Sequence, residues 1–211
     1  MEQTSPLVIS ISRQLGSGGA YVGQQLAKNL NLFFADREII NEASKKLSVL
    51  EEDVETQEEK FSVWESFLQS FASAPDVYLP PKYNAPTESE LFKTESEIIM
   101  HLAEQRSSVI VGRCGFFILR NHPNHVSIFL HGNIDFRIKR FMEFSKISEE
   151  VARKTIYQTD KSRALYVHTF TKLDWADAKH YDLTIDTSKI GCDNAIELIM
   201  EYLELKKVIP F

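Results

Sequence analysis

The stretch Leu7–Leu30, LVISISRQLGSGGAYVGQQLAKNL, decides the fold. Leu7 to Ser12 (LVISIS) is a short β-branched run that ends in a glycine-rich turn, Gly16-Ser17-Gly18-Gly19. Beyond the turn, Val22, Leu26, Ala27 and Leu30 recur at helical spacing. The order is strand, glycine loop, helix. Glycines carry no Cβ, so the backbone N–H groups of such a loop can converge on an anion, and the helix N-terminus adds partial positive charge. The expected phosphate-binding group is Gly16, Ser17, Gly18, Gly19, Ala20 and Tyr21. The plainer alternative is a tight turn that holds nothing. Its place between the first strand and the first helix is where P-loop proteins carry their phosphate loop.

The same alternation continues outward. Leu32 to Phe34 leads into Asp36-Arg37-Glu38 and a helical pattern at Ile39, Ile40, Ala43 and Leu47. Residues 48 to 60 carry six acidic side chains and one lysine, a solvated helix and its approach. Phe61, Trp64, Phe67, Leu68 and Phe71 form an aromatic stripe at helical spacing, read as packing. Ala74 to Pro86 holds four prolines and reads as a long loop. Leu91 to Ala103 is helical again. Ser108 to Gly112 (SVIVG), Val126 to Leu130 (VSIFL) and, more weakly, Asp182 to Asp186 (DLTID) are strands. Helices are expected near 134 to 145, near 148 to 166, and from Gly191 to Leu205. Short apolar strands alternating with helices predict an α/β fold, a parallel sheet with helices on both faces.

Composition narrows the function classes. The chain has 211 residues, enough for one core, with a net charge of -6. That balance draws nothing towards nucleic acid, so an anionic substrate needs a local cluster of cations. No apolar run approaches the ~20 residues of a membrane span, and no signal peptide opens the sequence. Cys114 and Cys192 suggest neither a disulfide framework nor a zinc site, only reduced buried thiols of a cytoplasmic protein. His122, His125 and His131 read as loop composition and not as metal ligands.

The loop departs from the Walker pattern GxxxxGK[ST]. With Gly18 on the second glycine, Arg13 falls on the first glycine, Gly19 on the lysine and Ala20 on the Ser/Thr. The backbone cradle is kept, while the ammonium and the magnesium hydroxyl are lost. Arg13, at the end of the first strand, is the candidate substitute cation, since a guanidinium stays charged under all working conditions. Its alternative role is to pin the loop through carbonyls or a carboxylate.

SISRQLGSGG, ADREII, VIVGRC and TDKSRALYVHTFTKLDWADAKHYDLTIDTSK, in that order, resemble the cytidylate kinase-like family of P-loop proteins. The resemblance runs from residue 7 to about 200. It implies a single kinase-like domain over 1–211, with a helical monophosphate-binding insertion at about 37–100 and a lid at about 148–175. It also implies ATP and magnesium as cofactors and small nucleotides as the partners. Asp36, with Arg37 beside it, matches the aspartate at the entry to the monophosphate site; the arginine expected six residues on is Glu42. Arg113 matches the arginine that grips the acceptor phosphate, while the aspartate beside it is Cys114. Asp160 and Arg163 match the lid Asp-x-x-Arg, with Lys161 adding a cation.

Physics supports these cations separately. Phosphoryl transfer needs two anions positioned and the charge on the moving group neutralised, and arginine binds phosphate oxygens in pairs. Arg113 follows a buried strand at its carboxyl end, the edge where open α/β sheets bind ligands. Competing roles are a surface salt bridge for Arg113, a solvated face for Lys161 and Arg163, a helix N-cap for Asp36, and lid packing for Tyr166, Phe170 and Trp175. Three functions follow: a kinase acting on cytidylate or a similar monophosphate, a kinase with another small acceptor, or a non-catalytic nucleotide-binding module.

Overall fold

The computed structural model describes residues 5–36 and 88–209. The acidic segment, the aromatic stripe, the proline-rich loop, Arg37 and Glu42 lie outside the described residues.

Five strands form one parallel sheet: β1 (Val8–Arg13), β2 (Phe33–Ala35), β3 (Ser108–Val111), β4 (His125–His131) and β5 (Leu183–Asp186), in the order β2-β3-β1-β4-β5. Parallel neighbours need crossovers, and helices lie in them: α1 (Gly19–Asn29), α2 (Glu88–Gln105), α3 (Gly115–Ile118), α4 (Ile134–Ser145) and α5 (Glu149–Thr171); α6 (Thr187–Leu205) follows the last strand. The chain leaves central β1 for one edge, returns through β3, and crosses to β4 and β5 on the other side. The carboxyl end of β1 is therefore the topological switch point, where such sheets open a crevice.

Strand pleating divides the core. Ile9 and Ile11 of β1, with Val109, Val111, Val126, Ile128 and Leu130, face α1 and α6 through Val22, Leu26, Ile196 and Ile199. Val8 and Ile110 face the other way, against Ile98, Ile99 and Leu102 of α2. Further along that second face, Phe129 meets Val167, Trp175 and Tyr181. Ile9, Ile110 and Ile99 are wholly buried, each contributing roughly 1.5–3 kcal/mol by removal from water. These are the three layers expected from the sequence.

Several boundaries differ from the sequence reading for local reasons. β1 extends one residue further, to Arg13. α2 (Glu88–Gln105) packs on the sheet through Ile98, Ile99 and Leu102, and runs two residues beyond the expected Ala103. α6 starts at Thr187, not Gly191, because Asp186 caps it by accepting from Ser188 N–H at 2.9 Å. Gly191 (φ 80°, ψ 169°) then kinks the helix. α5 runs on to Thr171, with Ser148 as its cap.

Candidate active site

The glycine loop is held from below. Gln14 N–H donates to Leu130 O at 2.9 Å, and the buried Ser17 hydroxyl donates to Gln14 O at 2.8 Å and Leu130 O at 3.1 Å. Thr187 Oγ1 donates to Ser17 O at 3.0 Å and Asp160 Oδ1 accepts from Leu15 N–H at 2.8 Å. Gly18 is the N-cap of α1 in the left-handed region (φ 87°), with no side chain capping it. Cys192 packs beneath it, filling the space a Cβ would need. Among the described residues no acceptor meets the N–H groups of Gly18, Gly19, Ala20 or Tyr21. Those four donors, at a helix N-terminus with no acidic residue in its first turn, make an anion cradle. The Ser17 hydroxyl and Gly16, which is closed against the Arg137 backbone, shape the loop from beneath.

At the end of β3 the backbone takes three successive left-handed residues, Gly112 (φ 92°), Arg113 (φ 53°) and Cys114 (φ 55°). Two non-glycine residues in that region store backbone strain, and such strain concentrates at functional sites. The turn swings Arg113 to the carboxyl edge. Its Nη1 lies 3.2 Å from Glu95 Oε1, its guanidinium sits 5.5 Å from the Tyr166 ring centre, and Tyr166 OH donates to Glu95 Oε2 at 2.7 Å. The Arg113 and Glu95 side chains are only 12% and 4% exposed, and the buried Arg113 Nε–H has no acceptor among the described residues. This is a positioned ion pair at the sheet edge, not a surface salt bridge. Burial and the Glu95 charge hold the Tyr166 phenol well above its ordinary range, so it stays a donor. Burial also pushes the Cys114 thiol up to about 12, far from the acidity of the aspartate it replaces.

Between this edge and α5 lies a cavity of about 600 Å³. Arg13, Arg113 and Arg163 line it together, with Glu88 and the aromatic wall of Tyr166, Phe170 and Trp175. Arg163 Nη1 donates to Arg13 O at 2.8 Å, tying α5 to the strand end. Phe170 stacks on Phe92 at 4.3 Å and Trp175 meets Phe129 edge-on at 5.3 Å, so these rings both pack and line.

Other expected site residues sit elsewhere. Lys161 lies on the outer, exposed side of α5 and is absent from the cavity wall, because the helical period that turns Ser162 and Arg163 inward turns it out. Asp160 faces the loop and not the cavity; Arg137 Nη1 binds its Oδ2 at 2.5 Å, and Leu15 N–H its Oδ1. It positions the loop and does not reach the cavity. Asp36 follows β2, whose Ala35 pairs with Ile110, so it lies at the same carboxyl edge as Gly112. Tyr21 OH donates to Asp193 Oδ1 at 2.8 Å, and its backbone N–H belongs to the cradle. Of the histidines, His125 Nε2 lies 2.8 Å from Ser10 Oγ, and His131 stacks near Phe129.

Arg140 of α4 is a cation the sequence reading passed over. Its guanidinium lies beside Gly18, 5.7 Å from the Tyr21 ring centre and 5.2 Å from that of Phe144. IDFRIKRF on α4 places Arg137 and Arg140 one turn apart, which was the available signal. Position 20 offers no hydroxyl for magnesium, and among the described residues no three acidic, His or Cys side chains cluster. No helix among them is long and apolar enough to cross a membrane.

A cytidylate kinase of Saccharolobus islandicus is 24% identical over 116 residues, 55% of this chain and 61% of that protein, so the match spans less than two thirds of it. A cytidylate kinase of Pyrobaculum islandicum is 23% identical over 199 residues, covering 93% of this chain and 92% of that one. An uncharacterized protein of Eubacterium ventriosum has a crystal structure with TM-score 0.71 and 26% identity, covering 94% of this chain and 98% of its own. A shikimate kinase of Bacteroides thetaiotaomicron, at 15% identity and TM-score 0.50 over 94% and 98% of the two chains, shares the fold alone. The sequence profile of the cytidylate kinase-like family matches residues 8–189, and the chain belongs to that family.

Proposed function

We propose that the chain is an ATP-dependent kinase of nucleoside monophosphates, with cytidylate the first acceptor to test. The observation that carries this is the meeting of Arg13, Arg113 and Arg163 on one cavity beside an uncapped glycine loop. A sensing module needs the cradle; it has no need of three cations converging where a phosphoryl group would move.

In this reading the N–H groups of Gly18 to Tyr21 hold the donor phosphates, and Arg140 with Tyr21 and Phe144 offers the flat cationic surface that suits a base. Arg113, oriented by Glu95 and Tyr166, grips the acceptor phosphate, with Asp36 at the entry on the same edge. Arg163 closes the site from α5, the core of the proposed lid. ATP arrives as its magnesium complex, the metal carried on phosphate oxygens.

The acceptor phosphate is largely a dianion near neutral pH, so no side chain has to remove a proton. One of its oxygens forms a bond to the γ-phosphorus as the bond from that phosphorus to the bridging oxygen breaks. ADP leaves with those electrons. The chain's own part is to align the two anions and neutralise the spreading charge.

A thermal-shift screen over nucleotides, with and without magnesium, followed by a transfer assay, tests the reading. Arg113→Ala should raise the acceptor KM or lower turnover by about 2 kcal/mol, the size of a lost charged hydrogen bond. Unchanged kinetics would remove Arg113 from the site. Affinity for ATP without transfer to any acceptor would leave only a nucleotide-binding module.

A further inference from the structure

Gly19 opens α1 without a positive φ, so its backbone does not call for glycine. Its neighbour does. A Cβ at position 19 would lie 2.5 Å from Arg13 Cγ, 2.7 Å from Arg13 Cβ and 3.3 Å from its Cδ. These are closer than packed carbons tolerate. The same side chain then runs to Gly112, where Arg13 Nη1 fills the place of a Cβ and Arg13 Cζ lies 3.2 Å from it. The stem of Arg13 thus passes against the first residue of α1, and its guanidinium emerges at the end of β3, in the cavity wall.

We infer that Arg13 and Gly19 are an exchanged pair. The cation that GxxxxGK[ST] loops carry on the first turn of the helix is here carried by the last residue of β1. Position 19 is glycine because the stem of that cation occupies its side-chain volume. The guanidinium reaches the transfer site from the sheet side rather than folding over the loop. This rests on the kinase reading for its chemistry, since the charge it neutralises grows as the γ-phosphorus changes partners. The steric half of the exchange stands on the packing alone.

The test is a cycle of four full-length chains: the parent, Arg13→Ala, Gly19→Lys and the double variant. Each is assayed for phosphoryl transfer from magnesium-ATP to cytidylate and for Tm. Arg13→Ala should lower kcat on the order of 100-fold, with acceptor KM changed less than about threefold. Gly19→Lys should lower Tm or fail to fold in the parent background, and cost less Tm when position 13 is alanine, which removes the contacts to Cγ and Cδ and keeps the one to Cβ. The double variant should recover at least tenfold in kcat over Arg13→Ala. Gly19→Ala is the milder steric probe should the lysine variant not fold: its Tm loss should shrink in the Arg13→Ala background, where only the Cβ contact at 2.7 Å remains, and vanish in an Arg13→Gly background.

Equal Tm losses from Gly19→Ala in both backgrounds overturn the exchange. So does a double variant that folds and transfers no faster than Arg13→Ala, or an Arg13→Ala whose defect lies wholly in acceptor KM. If the parent phosphorylates no acceptor, the kinase reading fails. Coupled Tm losses then still establish the steric exchange, and additive ones still refute it.

Discussion

Replacing Asp160 by asparagine should destabilise the chain by about 3 kcal/mol, more than any surface carboxylate would. The carboxylate joins three segments: Oδ1 accepts from Leu15 N–H at 2.8 Å, and Oδ2 from Arg137 Nη1 at 2.5 Å. Arg137 and Asp160 are only 8% and 17% exposed, so little water is at hand to replace either bond. Arg137 Nε already has no acceptor among the described residues. A charged hydrogen bond contributes about 1.5–3 kcal/mol net, and breaking a buried pair costs about 3–5 kcal/mol. The residual exposure of Asp160 puts the loss near the lower end of that range. Asparagine keeps one acceptor oxygen but turns an amide towards the other donor, and the Arg137 charge is left alone. For a chain of this length the loss lowers Tm by about 6–12 °C. Urea unfolding at constant m, run on Asp160→Asn, Arg137→Ala and the double variant, measures both the loss and the coupling. A single-variant loss below about 0.5 kcal/mol, or strict additivity with Arg137→Ala, would refute the reasoning.

The acid limb of stability should report His125. Burial beside Ser10 holds its imidazole down to about 4 from the ordinary 6.5, so the folded state keeps it neutral. Its contribution is complete above pH 6.5 and falls away as pH drops towards 4, by about 2–3 kcal/mol at pH 4.5. Urea midpoints at pH 7 and 4.5 should converge more in His125→Gln than in the parent; equal drops would count against the buried histidine. Both thiols should be slow. Burial raises Cys114 to about 12 and also raises Cys192, so alkylation of the native chain should run at least about 100-fold slower than in urea. A fast native thiol would contradict the packing of Cys192 beneath Gly18.

The elements of this fold are legible in the sequence because they arise from short-range rules. LVISIS, SVIVG and VSIFL become strands, since apolar β-branched runs of that length have no better way to bury both faces, and the weaker DLTID becomes the edge strand, with only Ile185 buried. The glycine loop and the strand-end place of Arg113 follow from the same order of elements. The start of α6 is less legible, because a helix boundary depends on its cap. Asp186 decides this one, by capping the helix at Thr187.

The site itself is different. The sequence alone determined that a glycine-rich turn joins β1 to α1 and that arginines follow it in the order of the cytidylate kinase-like family. Only the tertiary structure decided which of them meet. Arg163 reaches Arg13 across 150 positions, and Asp160 reaches Leu15 across 145. Arg113 finds Glu95 on a helix whose role as a core element was not apparent. Lys161 and Arg163 are indistinguishable by charge, yet the helical period sends one to solvent and the other to the cavity. The missing lysine at position 19 reads in the sequence as a loss; in three dimensions that space is filled by the stem of Arg13. Periodicity and propensity act between neighbours in the chain, whereas a shared volume is a property of residues brought together by the sheet.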